Sequence, residues 1–179
     1  AKVYKADLTD FSATATLFEK IEKNHGHIDG LINCVGALTL KPFHALSSKE
    51  IDSMISTNFH SLLYSCRCAR IKKSGHIINL ASSSFSKGRK SYTLYSSAKA
   101  AIVNFTQGLA EECPDLHINA VVPQRTNTRL RQLNFPKEDP STLLAPIDVA
   151  KEILSLLKQK KTTGTIFEVR KNFESITPP

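Results

Sequence analysis

The tightest constraint on the fold is the way hydrophobic periodicity changes along the chain. Short apolar runs alternate with longer stretches whose apolar residues recur at helical spacing. The runs at residues 3–8, 27–33, 75–80, 117–122 (closed by Pro123) and 165–169 read as strands. Between them, residues 14–23 carry Leu17, Phe18 and Ile21 on one helical face. A Ser47-x-x-Glu50 capping box opens a helix through Ile51, Met54 and Ile55 towards Leu62 and Leu63. Residues 94–112 form an Ala-rich helix and 147–158 an amphipathic one. Strands and helices in this alternation predict an α/β fold, a doubly wound parallel sheet covered on both faces. With 179 residues, 41% of them hydrophobic, one domain with its own core is expected. No apolar run approaches the ~18 residues of a membrane span, and a soluble, cytoplasmic chain is the reading.

The formal charge is +8, from 24 Lys+Arg against 16 Asp+Glu. The cations fall in scattered groups: Arg67, Arg70, Lys72 and Lys73; Lys87, Arg89 and Lys90; Lys158, Lys160 and Lys161. None is interleaved with aromatics as in an RNA-reading sheet, so nucleic acid is not the expected partner, and a solvated basic face is the default. Cys34, Cys66, Cys68 and Cys113 offer no metal or redox spacing. Cys66-x-Cys68 is not C-x-x-C, so reduced thiols and no metal site are expected.

One irregular stretch, residues 123–146, follows the carboxyl end of a strand, where open α/β sheets bind ligands; it reads as a substrate loop. The chemistry centres on Ser82, Tyr95 and Lys99. Tyr95 and Lys99 are four apart and share a helical face, and Ser82 follows the strand ending at Leu80. An ammonium beside a phenol favours the phenolate, and a hydroxyl opposite can polarise a carbonyl. Such a set handles the proton of a carbonyl–alcohol interconversion while a bound cofactor handles the hydride.

A Y-x-x-x-K pair alone often marks nothing more than a helix surface. Here it is joined, in order, by several further motifs. These are Asp7-Leu8 in Ala6-Asp7-Leu8-Thr9-Asp10; Asn33-Cys34-Val35-Gly36; Asn58 in Ser56-Thr57-Asn58; Ser82 after Asn79-Leu80-Ala81; and Asn119-Ala120-Val121-Val122-Pro123 followed by Thr128. From residue 3 to about 169 the chain resembles the short-chain dehydrogenase/reductase family. The resemblance implies a Rossmann-like fold and NAD(P)-dependent oxidoreductase activity, with NADP or NAD as cofactor. It implies that Ser82, Tyr95, Lys99 and Asn58 are catalytic. Asp7, Leu8, Asn33, Gly36, Tyr95, Lys99, Pro123 and Thr128 are implied to hold the cofactor. Cys34 and Val35 depart from the family's N-N-A-G turn, and Gln124 replaces a glycine. Singly, Asp7 could be a strand-end cap, Asn33 a turn former, Asn58 a polar helix residue and Thr128 a loop hydroxyl.

No glycine-rich dinucleotide loop is present, since Gly26, Gly30 and Gly36 lie at the wrong places and spacing. Residues 1–179 therefore read as one domain lacking the family's N-terminal βαβ portion. The stretch from Asn58 to Ser82 also looks a few residues short. Arg125, Arg129 and Arg131 suit phosphate oxygens, or else are solvated loop arginines. The run P-x-R-T-x-T-x-x-R-x-x-N-F is similar to the reductase domain fused, in some bacteria, behind a cytidylyltransferase. That likeness implies reduction of ribulose 5-phosphate to ribitol 5-phosphate, with an arginine on the phosphate. Family members commonly pair through the helices carrying Asn58 and Tyr95, so a homo-oligomer is expected. The alternatives are a neutral alcohol or ketone as substrate, or a non-catalytic domain that dimerises or positions a fused cytidylyltransferase.

Overall fold

The computed structural model describes residues 1–159 and 162–171; Lys160 and Lys161, of the third basic group, lie outside the described residues. The elements are α1 (Phe11–His25), β1 (Ile28–Asn33), α2 (Ser48–Ile55), a π-helical stretch (Ser56–His60), α3 (Ser61–Cys68), β2 (Ile71–Leu80), α4 (Thr93–Glu112), β3 (His117–Pro123), α5 (Arg129–Asn134), α6 (Pro146–Lys158) and β4 (Ile166–Val169). The four strands form one parallel sheet in the order β1-β2-β3-β4.

The alternation of side chains along β3 decides how the layers assemble. Ala120 and Val122 face one side, packing with Leu62 of α3 and with Ile102 and Val103 of α4. Val121 faces the other, joining Ile78 beneath Val149, Ile153 and Leu156 of α6. Helices thus cover both faces, and the doubly wound α/β class holds. Side-chain caps set the helix starts: Asp10 accepts from the Ala13 amide at α1, and Ser47 and Glu50 form the expected reciprocal box at α2.

Three expectations need correction. Residues 3–8 do not form a strand, and Val3 is 93% exposed. An extended segment becomes a strand only with a neighbour to complete its ladder, and none of the described strands runs beside this one. Residues 123–146 are not wholly irregular: Thr128 caps α5 by accepting from the Arg131 amide, and Asp139 caps a short 3₁₀ turn at Pro140–Thr142. A bridge between Thr126 and Leu144, and the burial of Leu143 and Leu144, tie the loop to the body. Finally, β2 begins at Ile71, earlier than residue 75. It pairs with β1 through an irregularity between Ile28 and Gly30, with Ser74 at φ 59°. Gly75 makes this possible, because a Cβ there would stand 2.8 Å from the carbonyl oxygens of Asp29 and Lys72.

Candidate active site

Strand β2 delivers the chain to the carboxyl edge of the sheet at Leu80, and Ser82 sits in the turn that follows. The next element, α4, raises Tyr95 and Lys99 one helical turn apart. All three line a single cleft of about 710 Å³. Gly36 and Cys34, beyond β1, form part of its wall. So do Pro123, Gln124, Arg125, Thr126, Thr128 and Arg131 beyond β3, and Arg89 and Tyr92 from the loop before α4.

Lys99 is only 4% exposed, and its ammonium donates to the Leu80 carbonyl at 3.0 Å. Burial pushes its pKa down to about 8. Tyr95 is also desolvated, and burial carries its pKa above that of an ordinary phenol. A hydrogen bond with Ser82 and, more weakly, the Arg131 charge pull the other way without prevailing. The expectation that Tyr95 would be pulled below the ordinary phenol value is therefore corrected, because burial outweighs the charges and hydrogen bond that favour the phenolate. The Lys99 ammonium lies 5.7 Å from the centre of the Tyr95 ring, and the phenol stays protonated at neutral pH.

Asn58 is fully buried in the π-helical stretch, and its amide is spent on backbone. Its Oδ1 accepts from the Ala37 amide at 3.2 Å, and its Nδ2 donates to the carbonyls of Ala37 (2.9 Å) and Met54 (2.8 Å). It braces the turn after β1. Gly36 fits between this brace and the lysine: a Cβ on it would stand 3.2 Å from Asn58 Oδ1 and 3.6 Å from Lys99 Nζ.

The other residues singled out by motif divide. Gly36, Pro123 and Thr128 line the cleft; Asp7, Leu8 and Asn33 do not. Asp7 accepts from both the amide and the hydroxyl of Thr9, which holds its carboxyl below the usual range. Asn33 donates to Asn79 Oδ1 at 2.8 Å and to the Cys66 sulfur, tying β1 to β2 and α3. Arg125 and Arg131 line the cleft, whereas Arg129, exposed in the first turn of α5, does not. Both cleft arginines are already engaged: Arg131 grips Glu138 through Nε (2.6 Å) and Nη2 (2.8 Å), and Arg125 reaches the same carboxylate at 2.7 Å. Glu138 had no motif to mark it; a lone acidic pair, Glu138-Asp139, in an arginine-rich loop was the available signal. Cys34 also went unassigned. It stands in the cleft near Lys99, its thiol raised by desolvation. All four cysteines are free thiols.

A parallel sheet wrapped on both faces, with Ser, Tyr and Lys converging at its carboxyl edge, defines a dinucleotide-fold oxidoreductase as the class. Residues 1–139 match the family model described as short chain dehydrogenase, and the chain belongs to that family. It is 35% identical, over 96% of its length, to the bifunctional ribulose 5-phosphate reductase/CDP-ribitol pyrophosphorylase of Haemophilus influenzae, and it spans 37% of that relative. The glucose/ribitol dehydrogenase of Brucella melitensis superposes with a TM-score of 0.87 at 25% identity, covering 94% of this chain and 74% of that one. ElxO, solved with NADP bound, superposes at 0.83 with 26% identity, covering 94% and 76%.

Proposed function

We propose that this chain carries the catalytic part of an NAD(P)H-dependent reductase of a small phosphorylated keto-sugar, ribulose 5-phosphate going to ribitol 5-phosphate. The observation that carries the proposal is the convergence of Ser82, Tyr95 and Lys99 in a cleft whose charged lining, among the described residues, is wholly basic, Lys99 being joined there by Arg89, Arg125 and Arg131. The similarity to the Haemophilus influenzae reductase supports the choice of substrate.

The fit to a nicotinamide rests on Gly36, where the cleft wall is flush and a side chain would crowd Asn58 and Lys99. Gly36, Pro123 and Thr128 would hold that end of the cofactor, and Lys99 its ribose; Asp7, Leu8 and Asn33 remain the family's assignments for the remainder. When bound, a reduced nicotinamide supplies the hydride that carbonyl reduction requires. NADP is the favoured form, given the basic cleft and the NADP-bound neighbour.

Tyr95 is suited to the reductive direction because it is held neutral: its hydroxyl donates a proton to the substrate oxygen as charge develops there. Ser82 hydrogen-bonds the same oxygen and orients it. The Lys99 ammonium, fixed to the Leu80 carbonyl, stabilises the tyrosinate left behind. Asn58 keeps the Gly36–Ala37 turn in place and, in the family's manner, sustains proton exchange between Lys99 and solvent. The phosphate of the sugar meets the arginines at the mouth. Pairing into a homo-oligomer through the helices carrying Asn58 and Tyr95, and a fused cytidylyltransferase, complete the proposal.

The test is oxidation of NADPH or NADH by the full-length protein with ribulose 5-phosphate. Tyr95→Phe is expected to lower kcat by about a thousandfold. An unchanged rate removes Tyr95 from the mechanism, and the absence of any turnover of phosphorylated ketoses by the unaltered protein removes the substrate.

A further inference from the structure

The arginines of the cleft are not equivalent, and the difference turns on Glu138. Its carboxylate takes three charge-assisted hydrogen bonds, two from Arg131 and one from Arg125, so that two guanidinium charges are partly neutralised by one anion. The face of Arg131 is covered as well, lying 3.7 Å from the centre of the Phe135 ring. That ring meets Tyr92 edge-on, and Tyr92 in turn lies beside Tyr95. Glu138 is only 15% exposed on its side chain, and its pKa is held below the usual carboxylate range by these arginines. An incoming phosphate would have to displace a well-seated carboxylate to claim Arg131.

Arg89 is in the opposite situation. It lines the same cleft, yet among the described residues its side chain has no ion pair or hydrogen bond. Its backbone is nevertheless placed: the Arg89 carbonyl accepts from the Tyr92 amide, and the Ser91 carbonyl accepts from the Lys41 amide at 2.7 Å. From Ser83 to Lys99 every charged residue is basic (Lys87, Arg89, Lys90 and Lys99), so no carboxylate on this segment competes for it. A free planar fork on an anchored turn, at the mouth of a cleft that holds Tyr95, is what an anion on the end of a substrate needs.

We propose that Arg89 is the residue that binds the phosphate of the substrate, while Glu138 retains Arg125 and Arg131 as a brace of the 123–146 loop. This rests on the reading that the substrate is phosphorylated, and it departs from the loop arginines as phosphate ligands.

The test compares Arg89→Gln with Arg125→Gln in the full-length protein, using ribulose 5-phosphate, unphosphorylated ribulose and NADPH as varied substrates. Losing a charge-assisted contact should raise KM for ribulose 5-phosphate by about ten- to a hundredfold in Arg89→Gln. KM for ribulose and for NADPH should stay within about twofold, and Arg125→Gln should act more weakly. Calorimetric titration with inorganic phosphate, which needs no turnover, should show binding to the unaltered protein and its loss in Arg89→Gln. A rise in the NADPH KM instead would assign Arg89 to a cofactor phosphate and overturn the proposal. So would loss of phosphate binding in Arg125→Gln with Arg89→Gln unaffected. Equal handling of ribulose and its phosphate by the unaltered protein would sink the phosphorylated-substrate reading itself; a preference for the phosphate that survives Arg89→Gln sinks this inference alone.

Discussion

The Ser82–Tyr95–Lys99 centre and the 123–146 loop face each other across one cleft but are built on opposite principles. The centre is desolvated and held by backbone: Lys99 is buried against the Leu80 carbonyl, and Asn58 is spent on the backbone of Ala37 and Met54. Beneath it, Asn33, Asn79, Thr106 and the Ile102 carbonyl form an unbroken hydrogen-bonded ladder from β1 through β2 to α4. The loop is held by short caps, two buried leucines and a charge cluster open to water on the Arg125 side, which is 51% exposed. Low dielectric shifts proton affinities where acid–base chemistry occurs; solvated charge suits recognition, where ligands must come and go.

The contrast is broken most sharply at Lys99. Lys99→Met should lower kcat/KM by about a hundredfold or more. It should also change the pH dependence of stability. With a pKa of about 8 folded, below its unfolded value, Lys99 is protonated in both states at pH 7, where its burial costs about 3 kcal/mol. As pH rises from about 8 towards the unfolded lysine value, that cost is relieved, so the native protein gains on the variant across this window. Denaturant unfolding of both proteins at pH 7 and pH 10 measures it; a constant difference would mean that Lys99 is not buried as a cation.

A smaller effect is expected one layer below. Asn79 is fully buried, and Asn79→Ala leaves the Asn33 amide and the Thr106 hydroxyl short of partners, costing about 2–3 kcal/mol in the same measurement. Smallest is Glu138→Gln, expected to cost at most about 1 kcal/mol and to lose that effect in high salt. A cost as large as that of Asn79→Ala would erase the distinction between centre and loop.

Most of the architecture was legible in the chain, since each strand of the sheet and each long helix carries its own periodicity, and α1 and α2 carry side-chain caps as well. The Ser47–Glu50 box and the Tyr95–Lys99 spacing are local, and local geometry alone makes them. Residues 3–8 misled because a strand is defined by its neighbour. The site was legible as a set of residue types, but their division was not. Asn33, a cofactor contact by its motif, is also a tie between strands. Arg131 resembles a phosphate ligand and is gripped by a carboxylate seven positions away. Arg89 resembled one more surface cation and, among the described residues, lines the cleft without a partner.

Taken alone, then, the order of residues determined the alternation of strand and helix, the family, and which side chains could manage a proton. Only the tertiary structure decided their protonation and availability: that burial keeps Tyr95 a neutral phenol and lowers Lys99 to about 8, and that Glu138 occupies two arginines while Arg89 has no partner among the described residues. The reason is physical. Periodicity and capping act within a few residues, whereas desolvation and charge pairing are summed over everything the fold brings near, and that sum cannot be taken along the chain.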